Sequence, residues 1–551
     1  MAPRATRASA LAQLDSAVIG NFHMKAIAVA GVGFYTDAYD LFAINLALPM
    51  IYLTYMGTTN VNSWLDGSIK GIANVGNAVG QLLFGYLADR LGRKRMYGVE
   101  LMLMIVATLG QALTAPPAKG VGILAILAFW RFCVGVGIGG DYPLSAIITS
   151  EFASVERRGK MMAAVFACQG IGQLSAVLIT VITLACFKGA IQDDPQNLDY
   201  CWRIILGLGI VPALCALYFR LTIPETPRFT AHITGDENAA AKDIEKIMLQ
   251  YGGKAHNNNA APTMTAVSPA PDTPRSHVSQ ATINTARPTS QRKGGLRDFN
   301  RTFLHGGRRN LQILIATSMT WFCLDVAFYG LNLNTSVVIS AIGFGGKKTP
   351  WDQVWSAALG NLIVVFCGNL PGYFAAILLI ERIGRKKLQY MGFIVGAVLL
   401  LVLAASYHKL LASSVAGFVV LYSLLQFFFN CGANTTTFVV PGECYPTRFR
   451  STAHGISAAA GKLGAILTTF GIAPIRNNGG TNESMNVVLY IFAAFMAVGA
   501  LFTAWIPETK GKTLEQLADE FEGIEDLSEG EGEGDEGIGH EDLDQVVVDR
   551  H

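Results

Sequence analysis

The sequence predicts an all-α polytopic membrane protein, with twelve transmembrane helices arranged as two six-helix bundles that repeat one another in parallel. Three observations predict it. Of the 551 residues, 51% are hydrophobic and only 15% charged, where a soluble domain carries about 25% charged residues. Apolar runs of roughly 20 residues recur along the chain, each long enough to cross a hydrocarbon core of about 30 Å as a helix. Motifs of the first half also return in the second at one offset, 292 residues (381 − 89). "DRLGRKR" from Asp89 pairs with "ERIGRKK" from Glu381, Glu151 with Glu443, and Arg158 with Arg450.

The runs fall at about 25–55, 64–88, 96–115, 120–148, 160–187, 202–223, 309–343, 353–380, 388–406, 413–440, 453–475 and 485–506. The expected domains are an N-terminal tail (1–24), a first bundle (25–223), a middle loop (224–308), a second bundle (309–506) and a tail (507–551). Four loops on one side carry Arg90, Arg93, Lys94, Arg95; Arg157, Arg158, Lys160; Arg382, Arg385, Lys386, Lys387; and Arg448, Arg450. The six opposite loops carry only Lys119, Lys188, Arg203, Lys347, Lys348, Lys409 and Arg476. Basic loops stay in the cytoplasm, so both termini are expected there. Residues 1–24 hold no apolar core of a signal peptide.

Residues 224–308 are rich in Pro, Ala, Ser and Thr, which predicts partial disorder, with Ser268-Pro and Thr273-Pro as candidate phosphosites. The "EGEGEGDEGIGHEDLD" tail reads as an acidic, solvated segment. The nine cysteines show no C-x-x-C pair, and most read as apolar packing. Cys186 and Cys201 flank one loop, a spacing that permits a disulfide without requiring one. Asn482-Glu-Ser484 is a glycosylation sequon too close to the membrane to be expected modified. The sequence offers neither a metal-ligand cluster nor a nucleophile–base constellation, so an enzyme and a bound cofactor are not expected. Nothing points to nucleic acid.

"GYLADRLGRKR" has the form G-x-x-x-D-R-x-G-R-[RK], and here the chain resembles the major facilitator superfamily across about residues 25–510. "RFCVGVG" from Arg131 and "PETKGKTLEQL" from Pro507 resemble its sugar-porter side. Parallel repeats of this kind bind solute near the midplane, between the halves. Asp89, Arg93, Glu151, Arg158, Glu381, Arg385, Glu443 and Arg450 sit where helices meet the cytoplasm, and their ion pairs are expected to latch an inner gate.

Charges inside the spans mark function, because each costs a few kcal/mol or more at membrane depth. Asp37 and Asp40 share a face of span 1, and Asp141 and Tyr142 lie in span 4. Trp321, Asp325 and Tyr329 form an i, i+4, i+8 stripe in span 7, and Lys462 lies in span 11. Arg131 precedes the glycines of span 4; Gln169 lies in span 5, and Asn430 and Asn434 in span 10. Adding the repeat offset takes Tyr142 to Asn434, Asp37 to Tyr329, and Gln169 to Gly461 beside Lys462. Polar residues in pseudo-equivalent places predict one shared cavity. Its donors, single cation and titratable acids suit a tetrahedral oxyanion, and an ionised Asp would accept from the hydroxyls of dihydrogen phosphate but not from sulfate.

"GGDYPLSAIITSE" from Gly139 closely resembles the signature of the phosphate:proton symporters of fungi and plants, as do "GVGFYTDAYDLFAIN" and "WFCLDVAFYGLNLN". The long middle loop and acidic tail look more fungal than plant. The resemblance implies proton-coupled uptake of inorganic phosphate across the plasma membrane. It assigns Tyr142, Gln169, Trp321, Asp325, Tyr329 and Asn434 to phosphate, Asp37 and Asp141 to protons, and Lys462 to coupling. Asp40 and Arg131 have counterparts in the family and are read as a charge pair near the proton path. The alternatives are a carrier of organic phosphates such as glycerophosphodiesters, or a phosphate sensor that moves little.

Overall fold

The computed structural model describes residues 21–59, 61–115, 122–222, 225–230, 233, 295–304, 308–333, 349–476 and 484–522. Lys119, Ser268, Thr273, Lys347, Lys348, Asn482, residues 1–20 of the first tail and the acidic run after 522 lie outside the described residues, and the first helix takes in the last four residues of that tail. All regular structure among the described residues is helical.

Twelve long helices follow the predicted order. They are α1 (Asn21–Met56), α2 (Ser63–Leu91), α3 (Arg93–Ala112), α4 (Ile123–Phe152), α5 (Arg158–Cys186) and α6, which breaks at Leu208–Gly209 into Leu198–Gly207 and Ile210–Thr222. The second half repeats them as α7 (Arg308–Asn332), α8 (Pro350–Ile383), α9 (Arg385–Ser413), α10 (Val415–Glu443), α11 (Arg450–Arg476) and α12 (Met485–Thr503). Among the described residues, nine of these spans are apolar enough by composition to cross a bilayer, and α2, α3 and α11 are not. α3 carries Arg93, Lys94, Arg95 and Glu100, and α11 carries His454 and Lys462.

α2, with Asn74, Asn77 and Gln81 buried, packs on protein along much of its length. A Cβ on Gly76 or Gly80 would strike the Phe132 and Val136 carbonyls of α4, and Gly135 and Gly139 meet α2 in the same way. Across the two halves, a Cβ on Gly85 of α2 would stand 2.7 Å from the Ser451 carbonyl of α11, beside Gly455. A helix seated on protein at such close approach has no need of an apolar surface all round.

Odd-numbered helices leave from the end bearing the basic loops, called here the basic end, and even-numbered helices return to it. Gly92 and Gly384, with φ of 101° and 94°, turn the chain between α2 and α3 and between α8 and α9, a backbone conformation that favours glycine. The Glu225 carboxylate then accepts the Lys94 amide at 3.3 Å, and Glu508 accepts those of Arg385 and Lys386 at 3.0 and 3.1 Å. The repeated "PET" stretch thus caps the helix after each glycine turn. Cys186 and Cys201 are free thiols, and the Cys201 thiol turns to the Asn197 carbonyl, so they form no disulfide.

Candidate functional site

The centre of the interface between the halves holds a buried cation. Lys462 of α11 points at α7, where its ammonium donates to Asp325 at 2.9 Å and to the Tyr329 hydroxyl at 2.8 Å. The same nitrogen lies 4.1 Å from the Tyr329 ring centre and 5.2 Å from that of Tyr142. Gln169 of α5 donates to the Tyr142 hydroxyl at 3.2 Å, and the Tyr142 and Trp321 rings stand 6.3 Å apart. Gly461 lets α11 approach this closely, since a Cβ there would lie 2.5 Å from Trp321 Cδ1. All these side chains are buried.

Asn434 reaches the edge of the group through a π-helical turn, Asn430–Asn434, inside α10. Such a turn re-aims side chains by widening the helix locally. Its amide donates to Asn430 Oδ1 at 2.7 Å and to the Tyr373 hydroxyl of α8 at 3.2 Å. The predicted ligands Tyr142, Gln169, Trp321, Asp325 and Tyr329 therefore converge with Lys462, and Asn434 stands beside them through Tyr373. The ring offers hydroxyl, amide and ammonium donors, a set that matches an oxyanion. An anion entering here must compete with Asp325 for Lys462, and a proton on Asp325 would release the lysine.

Asp141 occupies a second cluster. Its Oδ2 accepts from Arg220 of α6 at 2.8 Å, and its Oδ1 accepts from Ser145 at 2.5 Å. Arg220 also pairs with Glu100 of α3, and its guanidinium lies 3.9 Å over the Tyr97 ring. Any Cβ on Gly33 of α1 would collide with the Arg220–Asp141 pair, so this glycine makes the space for it. One turn on, the Asp37 carboxylate lies in the field of Asp141, Glu100 and Arg220. Three carboxyls thus face one guanidinium. Lys462 pairs with Asp325 and not with Asp141.

The expected charge pair between Asp40 and Arg131 is not formed. Arg131 donates to the Asp40 backbone carbonyl at 2.9 Å, while the Asp40 carboxylate accepts from Thr108 of α3 at 2.7 Å. The backbone of α1 faces α4 there, and the Asp40 side chain turns toward α3 and the break in α6 at Gly209.

At the basic end the predicted gating residues interlock. Arg93 lies 3.3 Å from Asp89, 3.5 Å from Glu151 and 2.8 Å from the Thr447 carbonyl of the other half. Glu151 is shared with Arg450 of the other half at 3.3 Å. Arg385 binds Glu381 at 2.6 Å and Glu443 at 2.9 Å, and Arg158 donates to the Lys512 carbonyl at 3.0 Å. Behind them the helix Leu514–Glu522 ties in through Arg228–Glu515 at 2.9 Å.

Sequence reasoning missed Glu100, Arg220 and Tyr373. Glu100 and Arg220 are single charges in apolar stretches, "GVELMLMIV" and "ALYFRLTIP", and obey the rule that singled out Asp141. Both lie within four residues of an expected span end, where a charge reads as the helix leaving the membrane.

The sugar (and other) transporter family matches residues 26–298 and 347–521. The chain is similar to the repressible high-affinity phosphate permease of Neurospora crassa, at 41% identity over 94% of this chain and 90% of that one. It is 42% identical to the inorganic phosphate transporter PHO84 of Saccharomyces cerevisiae, over 94% of this chain and 87% of that one. Identity is 37% with inorganic phosphate transporter 1-6 of Oryza sativa, over 93% and 95% of the two chains. Among solved structures, the proton:xylose symporter XylE of E. coli superposes with a TM-score of 0.67 at 21% identity, over 90% of this chain and 98% of that one. This last likeness bears on the fold alone.

Proposed function

The chain belongs to the major facilitator superfamily, in its sugar (and other) transporter family alongside the inorganic phosphate permeases, and we propose on that basis that it carries inorganic phosphate inward with protons across the plasma membrane by alternating access. The observation that carries this reading is Lys462, held by Asp325 and Tyr329 inside a ring of donors between the halves.

Phosphate is bound by Tyr142, Gln169, Trp321, Asp325, Tyr329 and Asn434, with Lys462 supplying the positive charge. A proton on Asp325 frees the lysine for the anion, and loss of that proton restores the ion pair and expels it. Asp37 and Asp141 load protons against Glu100 and Arg220, with Asp40 and Arg131 alongside. The salt bridges at the basic end form the inner gate, whose opening breaks Arg93–Glu151–Arg450 and Arg385–Glu443. The positive-inside bias of the basic loops supports a cytoplasmic location for that end, both termini, the middle loop (224–308) and the acidic tail. One proton with dihydrogen phosphate is electroneutral, and each further proton adds about 2.3 kcal/mol per 100 mV.

Uptake of labelled phosphate by proteoliposomes under an imposed pH gradient tests the reading. Accumulation should follow the gradient and collapse with a protonophore. Binding without accumulation would overturn it in favour of a sensor, and equal competition by glycerophosphodiesters would overturn the substrate assignment.

A further inference from the structure

One helical turn beyond the central site, toward the end opposite the basic loops, lies a pocket whose polar groups are all carboxamides. Gln173 stands one turn from Gln169 on α5, Asn332 three residues from Tyr329 on α7, and Asn369 one turn from Tyr373 on α8. A turn of helix rises about 5.4 Å. Asn45 of α1 and Asn361 of α8 complete the ring. Asn369 enters through the π-helical turn Val365–Asn369, as Asn434 does in α10. The floor is Phe42, stacked on the Tyr329 ring at 6.3 Å, with the Lys462 ammonium against that same ring.

The carboxamides bridge the two halves. Asn369 donates to Gln173 at 2.8 Å and to Asn332 Oδ1 at 3.4 Å, while Asn45 donates to the Asn332 carbonyl at 3.3 Å. Three atoms have no hydrogen-bond partner among the described residues: the donor Gln173 Nε2 and the acceptors Asn45 Oδ1 and Asn369 Oδ1. Their residues are 2%, 6% and 1% exposed. A buried donor or acceptor left unpaired costs about 1–3 kcal/mol, so the pocket favours whatever satisfies both kinds.

We infer that this carboxamide pocket is a second, outer binding site for a protonated oxyanion, a station through which phosphate passes before it reaches Lys462. The inference rests on the phosphate reading above. Dihydrogen phosphate brings oxygens for the Gln173 amide and hydroxyls for the two carboxamide oxygens. Sulfate brings no hydroxyl and would set its oxygens against those acceptors. The pocket has no charged group of its own, so it binds weakly and can hand the anion on. The anion replaces the Asn369–Gln173 bond, bridging α5 and α8, and its passage inward lets that bond close behind it.

The test uses the purified full-length chain in lipid nanodiscs and labelled inorganic phosphate. In Lys462→Met, which strips the central site of its positive charge, a saturable millimolar component of phosphate binding should remain at pH 6. Adding Gln173→Met or Asn369→Leu should remove it at least tenfold, and sulfate should not compete for it. Absence of the residual component, its survival in both double variants, or equal competition by sulfate would each overturn the inference. The sulfate arm needs no substitution in the pocket, so it stands even where a double variant fails to fold. Wild-type protein that does not accumulate phosphate under a pH gradient sinks the function reading instead, which separates the two failures.

Discussion

Asp89 of the first half caps the opening turn of α11 in the second, accepting the Thr452 amide at 2.7 Å and the Thr452 hydroxyl at 2.8 Å. Glu381 does the same in reverse, accepting the Gly159 amide at the start of α5 at 2.7 Å. Each carboxylate therefore satisfies free amides of the opposite half at a positive helix end. Asp89→Asn keeps the shape but loses the charge at a positive helix end, a change worth about 0.3–1 kcal/mol. It should alter transport turnover severalfold and raise thiol labelling of cysteines placed at the basic end, with phosphate affinity changed less than about twofold. Loss of binding with unchanged labelling would contradict the assignment.

Lys462→Met should weaken phosphate binding at the central site by tenfold or more, about 1.4 kcal/mol, in protein that still elutes as a folded species, because it removes the positive charge held by Asp325 and Tyr329. Asp325→Asn mimics the protonated acid and leaves Lys462 free, so it should keep the binding and lose the release that proton loss drives. Equilibrium binding and efflux of labelled phosphate measure the two, and unchanged affinity in Lys462→Met would remove the lysine from the site.

Asp141→Asn should spare much of the binding yet uncouple transport from the pH gradient, because it leaves Arg220 with Glu100 alone. Gly33→Ala should reproduce part of this loss by geometry, pushing the Arg220–Asp141 pair apart at a cost of about 1–3 kcal/mol. Uptake by variant vesicles with and without the gradient decides. Accumulation that still scales with the gradient in Asp141→Asn would make Asp141 structural and leave Asp37 as the next candidate.

Burial pushes the Glu515 carboxyl up, but Arg228 and Arg450 outweigh it and hold it at about 2. A carboxyl depressed in the folded state stabilises it above the ordinary carboxylate range and loses that contribution as pH falls through the depressed value. The Arg228–Glu515 tie should thus be intact at pH 5. Glu515→Gln should unfold at lower temperature than wild type, by about the same margin at pH 7.5 and pH 5 and by a narrowing margin toward pH 3. A margin that stays constant down to pH 3 would mean the carboxyl titrates normally.

The repeat and the span order were legible because hydrophobic length and a fixed offset survive any rotation of the helices. The convergence of Tyr142, Gln169, Asp325, Tyr329 and Lys462 was legible for the same reason, as polar residues in register. Partner choice was not. Whether Lys462 meets Asp325 or Asp141 depends on helix rotation by a fraction of a turn, which the repeat offset does not fix, and the π-helical turns of α8 and α10 re-aim Asn369 and Asn434 with no mark in the hydropathy pattern. Neutral amides such as Asn45 and Asn369 carry little signal inside a span, since an amide there also serves simply to bond a neighbouring helix. α2 and α11 were legible by length although their polar residues lower their hydropathy, because their neighbours are protein.

Interlocked side chains must climb out of their grooves before packed helices can shift. The seam of α2 and α11 at Gly85 and Gly455 has backbone against backbone and no such teeth. A tilt of the halves about that seam would have little to lift or repack. The fastenings that resist it then lie to either side of the central site and are of different kinds. One set is buried ion pairs, which dissolved salt screens little while they stay closed, and the other is neutral amides, which it does not screen at all. Ionic strength therefore bears on the first set alone, and only once its charges have parted and met water.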